Sequence, residues 1–76
     1  MFTPDFIREN TVRLGRGRII ETSGEVTEGI EIFSGSDNSF IVGIREYAAI
    51  NPEDAREDVI LFPVVNLRRV EITSQD

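Results

Sequence analysis

The chain predicts an all-β domain in which five bent antiparallel strands form a small barrel entered by a short N-terminal helix. Three observations carry this reading. From residue 11 onward apolar positions recur with a period of two, the spacing of strands rather than helices. Val59-Ile60-Leu61-Phe62 is apolar on both faces, and after a short pause Leu67-Arg68-Arg69-Val70-Glu71-Ile72 alternates, so a strand needing cover on both sides runs into one needing cover on one side. Gly15 and Gly17 stand inside the first strand, where a curling sheet needs a bend or bulge. With 76 residues the chain forms one domain, residues 1–76, near the lower limit at which a core alone sustains a fold.

Thr3-Pro4-Asp5 opens the helix over residues 3–10: threonine suits the N-cap, proline the first helical position, and aspartate the positive end of the dipole. Phe2 and Ile7 stand at hydrophobic-staple positions, and Phe2, Phe6 and Ile7 are the expected docking side chains. The first strand covers residues 11–22 and ends at the Ser23-Gly24 turn. The second, residues 25–33, is expected to point Val26, Ile30 and Ile32 inward and Glu25, Thr27 and Glu31 outward, with Glu28 breaking the pattern. A turn at residues 34–37 leads to a third strand, residues 38–46, that buries Phe40, Val42 and Ile44. Residues 47–58 read as an acidic connection in which Asn51-Pro52-Glu53 caps one helical turn. Two closing strands, residues 59–65 and 67–72, complete the barrel over residues 11–73.

Composition narrows the function. Histidine, cysteine, lysine and tryptophan are absent, which removes the usual general base, the Schiff-base amine and every imidazole or thiolate metal ligand. No carboxylate dyad or nucleophile and base stands out, so the expectation is a protein that is not an enzyme and takes no cofactor. Asp54, Glu57 and Asp58 lack the spacing of a calcium loop, and no metal is expected. The apolar runs are strand-length, so no membrane segment is expected and the cytoplasm is the default compartment. A net charge of −6 argues against a general nucleic-acid coat, because sequence-independent affinity comes from neutralising phosphates. All cations are arginine, and Arg8, Arg13, Arg16 and Arg18 face only Asp5 and Glu9 in the first 18 residues, which leaves room for a local positive face.

A short helix, five bent strands, a variable connection before the fourth strand and a one-turn step before the fifth resemble the Sm and Sm-like proteins, whose barrels are SH3-like in shape. Phe33-Ser34-Gly35-Ser36-Asp37-Asn38 keeps the aromatic residue and the asparagine of the first Sm motif, with Ser34 in place of its aspartate and Ser36 at its base-stacking position. Phe62, Leu67 and Val70 keep the apolar spacing of the second motif, whose arginine and glycine are replaced by Pro63 and Val64. A chain so short and divergent also fits a phage-borne member. The resemblance implies a homo-oligomeric ring that binds single-stranded RNA, or DNA, at the barrel mouth.

On that basis Asn38, Asn66 and Arg68 are the candidate nucleic-acid contacts, with Arg16 and Arg18 as further exposed cations. Each has a plainer reading: an asparagine closing its own turn, a rim arginine paired with an acid, a bent strand carrying solvated arginines. Arg68 and Arg69 are adjacent, so alternation is expected to send Arg68 to the mouth and Arg69 outward beside Glu71. Phe33 lies on the outward parity of its strand, and with Ile60 or Leu61 it is the expected subunit interface. The rival function is a protein-interaction or assembly module that binds no nucleic acid; convergence of the arginines on one face separates the two.

Overall fold

The computed structural model describes residues 3–35 and 38–75. Helix α1 spans Pro4–Asn10, and the Thr3 hydroxyl accepts the Phe6 N–H at 3.1 Å as its N-cap. Ile7 is its buried residue; the other half of the expected staple, Phe2, lies outside the described residues. Strands β1 (Val12–Glu21), β2 (Val26–Ser34), β3 (Phe40–Tyr47), β4 (Arg56–Pro63) and β5 (Leu67–Ser74) form one antiparallel sheet in the order β4-β3-β2-β1-β5. A 3-10 turn at Val64–Asn66 makes the expected step between β4 and β5.

The sheet is not closed, which corrects the barrel expectation: β4 and β5 are its two edges, consecutive in sequence and unpaired with each other. Closure depends on pairing between the strands furthest apart in the sheet, and no local pattern encodes that. The sheet nevertheless bends strongly. β1 shifts register between Arg13 and Gly15 and again between Gly17 and Ile19, at the two glycines expected to do this. Both are required by close approach: a Cβ on Gly17 would stand 1.8 Å from the Glu71 carbonyl oxygen, and one on Gly15, whose φ is +139°, would stand 2.5 Å from that of Ser74.

The sheet carries an apolar cluster on each face. Ile19, Ile30, Ile32 and Phe62 are buried together on the concave side, joined by Leu14, Ile41, Ile60, Leu67 and Val70. Alternation sends Phe33, Val42 and Ile44 to the opposite side, where Ile7 of α1 and Val59 pack on them. Phe33 is 1% exposed there, so its assignment to a subunit interface is corrected. Its parity was read correctly, but α1 of the same chain covers it. Phe40, expected inside, stands outside this cluster and is 40% exposed.

Two further differences come from irregular backbone. Thr27 pairs with Ile19 and Ile30 with Gly17, so Glu28 and Gly29, the latter at φ +66°, form a bulge. The bulge reverses the expected facing of the residues before it: Thr27 is buried and Val26 exposed. The β2–β3 ladder stops at Glu31 opposite Ile44, whereas the β3–β4 ladder continues to Tyr47 opposite Arg56. The β3–β4 hairpin therefore projects from the sheet, and β4 begins at Arg56 inside the segment expected to be loop. The Arg56 guanidinium lies over the Tyr47 ring at 4.5 Å, a cation–π contact that supports this extra pairing. The acidic connection shrinks to residues 48–55, with a 3-10 turn at Pro52–Asp54.

Candidate functional site

Two backbone hydrogen bonds gather three connections at one end of the sheet. The Val64 N–H donates to the Ser39 carbonyl at 2.8 Å, and the Thr22 N–H donates to the Asn66 carbonyl at 2.8 Å. Asn38, next to Ser39, and Asn66 are exposed at this loop end, and Arg68, also exposed, follows Asn66 by two residues at the start of β5. Three of the residues expected to form a mouth are thus brought to one end. Ser36 and Asp37 lie outside the described residues.

Arg68 and Arg69 do not separate as strict alternation requires. Glu21 pairs with Leu67 and Ile20 with Arg69, so Arg68 is the extra residue of a bulge. Leu67 and Val70, three apart, both reach the concave cluster. Both arginines remain exposed and line one shallow concavity of about 290 Å³ with Ile20. Arg69 donates to Glu71 at 2.9 Å, the solvated pair that the sequence suggested. Arg68 donates to no carboxylate among the described residues.

The other candidate cations are engaged. Arg16 donates to Glu46 at 2.7 Å, and Arg18 binds Glu71 and, at 3.4 Å, Glu28. Hydrogen bonds from Arg18 and Arg69 hold the Glu71 carboxyl below its ordinary value. Across the sheet, Arg13 donates to Glu31 at 2.7 Å, Arg8 donates to Glu31 at 3.1 Å, and Arg8 also forks onto Glu57. Burial pushes the Glu31 carboxyl up, but the bonds from Arg13 and Arg8 outweigh it and keep it below the ordinary carboxylate value; the bond from Arg8 does the same for Glu57. Sequence reasoning missed this network. Its signal was an acid set between Ile30 and Ile32-Phe33, because a carboxylate in an apolar run survives burial only when paired.

A larger concavity of about 770 Å³ opens where the β3–β4 hairpin leaves the sheet, between Arg16, Gly29, Glu46, Tyr47, Arg56 and Glu57. Its two cations and two carboxylates balance, so its electrostatics select neither an anion nor a cation.

Of the expected interface residues other than Phe33, Ile60 is half-buried against the concave cluster and Leu61 is 41% exposed on the α1 side of β4. Phe40, Val64 and Val65 are also exposed towards the loop end of that edge. Among the described residues no group of three or more histidine, cysteine, aspartate or glutamate side chains is placed to hold a metal ion, and no helix is long and apolar enough to cross a membrane. Compared with protein-family models, curated proteins and solved structures, the chain finds no match.

Proposed function

We propose that this chain is a non-enzymatic, Sm-like assembly module whose copies join edge to edge, β4 of one against β5 of the next. The observation that carries the reading is the open sheet: both edge strands present unpaired N–H and C=O groups. Beside one of them stand exposed Leu61, Phe40, Val64 and Val65. Edge strands of monomers are usually short, charged or covered, and the apolar half of β4 is none of these before Pro63. A contact between two different edges is heterologous, so it repeats, and it makes a ring when the rotation closes. Light scattering at micromolar concentration tests this: an oligomer is expected, and a stable monomer overturns the reading.

A second reading is favoured by the loop end, where Asn38, Asn66 and Arg68 stand together. A ring would repeat that set around its axis and hold single-stranded RNA, or DNA, through many weak contacts. The assembly reading leads because the arginines are taken up by acids: Arg8, Arg13, Arg16, Arg18 and Arg69 each hydrogen-bond a glutamate, leaving few cations for phosphate. Fluorescence anisotropy with oligo-U at two salt concentrations decides between them. On the nucleic-acid reading Arg68→Ala weakens binding severalfold and lowers its salt dependence, while Arg69→Ala, whose charge is shared with Glu71, weakens it less. No salt-sensitive binding by the wild type removes this second reading and leaves the first.

A further inference from the structure

We infer that α1 is a latched cover over a second apolar face, and that it opens as a unit while the five-stranded sheet stays folded. The helix has seven residues, shorter than isolated helices that persist in water, so its order is borrowed from what it touches. One of those residues, Ile7, is buried. Among the described residues its ion pairs to the sheet run through one side chain: Arg8 reaches Glu31 on β2 and Glu57 on β4. The concave cluster contains no residue of α1, so lifting the helix leaves Ile19, Ile30, Ile32 and Phe62 packed as before. Among the described residues its buried anchor is Ile7 and its ion-pair clip to the sheet is Arg8, and a segment held in this way belongs to the low-stability end of a molecule.

Opening has a defined consequence. It uncovers Phe33, Val42, Ile44 and Val59, on the side of the sheet where Leu61 and Phe40 are already exposed. The closed state keeps the apolar surface of β4 small; the open state extends it across β3 to β2. This latch is independent of whether copies of the chain assemble.

Hydrogen exchange on the intact protein tests it. The Ile7 N–H, bonded to the Thr3 carbonyl, and the Thr11 N–H, bonded to the Ile7 carbonyl, report on α1. Both should exchange at least about a hundredfold faster than the amides of Ile19 and Ile32, with a denaturant slope smaller than the core's but above zero, because opening exposes the second apolar cluster and leaves the first one packed. Glu57→Gln removes one side of the clip at a partly exposed position and should speed the α1 amides by about five- to tenfold while leaving the core amides unchanged. Exchange of α1 at the core rate, with the core's denaturant slope, overturns the cover. Unchanged α1 exchange in Glu57→Gln overturns the latch.

Discussion

Glu31 lies between Ile30 and Ile32, where alternation alone calls for a solvated acid on an outer face. The facing is as read, but the residue is 8% exposed, because α1 and its arginine roof that side. A pairing between residues 8, 13, 31 and 57 joins four elements, so no spacing in the sequence reveals it. The same holds for Arg68 and Arg69, whose common concavity depends on a bulge that pairing with β1 creates. The Glu31 network sets a pH dependence. Glu31 and Glu57 both titrate below the ordinary value of 4.5 when folded. A carboxyl whose pKa falls on folding adds stability at every pH above its unfolded value, and that contribution is lost as pH drops through the folded value. The melting temperature should therefore be nearly constant from about pH 8 to about pH 5 and decline below about pH 4. Glu31→Ala leaves two part-buried arginines without their shared acceptor and should cost about 1–2 kcal/mol at pH 7, or about 5–15 °C. It should also shrink the acid decline. An unchanged melting temperature at pH 7 would show that the network adds nothing.

The elements that local chemistry specifies were legible. Thr3 and Pro4 start α1, Ser23-Gly24 turns β1 into β2, and the pause before Leu67 is a 3-10 turn. What escaped depends on partners distant in sequence: Glu28 reads only as a break in the pattern until pairing with β1 makes it and Gly29 a bulge, and Arg56-Glu57-Asp58 reads as loop until Tyr47, Glu46 and Arg45 pair with it. The two glycines of β1 were recognised for the right reason, and they yield a quantitative contrast. At Gly17 a Cβ meets backbone oxygen of β5, which can yield only by moving the strand, whereas at Gly24 a Cβ meets nothing within 4 Å and the strain is confined to its φ of +92°. Gly17→Ala should cost about 1–3 kcal/mol or more through overpacking, against about 1–2 kcal/mol for Gly24→Ala from backbone conformation. Urea titration of both variants checks the order. Equal losses would mean that β1 and β5 are not held as closely as the sheet bend requires.

At the scale of the whole molecule two tendencies oppose each other, and salt distinguishes them. The open edges favour association through backbone hydrogen bonds and apolar contact. The net charge of −6 on each copy opposes it, since like-charged bodies repel over the Debye length, about 10 Å at 0.1 M salt. The charged half of β4, Arg56-Glu57-Asp58, is partly satisfied within its own chain by Arg8, Tyr47 and the Arg56–Asp58 contact, so ion pairs between copies have little to draw on. Screening should then strengthen assembly: raising sodium chloride from about 20 mM to about 500 mM shortens the Debye length severalfold, and the protein concentration at half-assembly should fall. Leu61→Asp places a charge on the exposed apolar side of β4 and should leave a folded monomer at either salt concentration, checked by sedimentation velocity with circular dichroism. If salt instead dissociates the oligomer, ionic contacts between copies hold it and the apolar edge is not the interface. If the wild type remains monomeric at both concentrations, the open edges are blunted in some other way and the assembly reading fails.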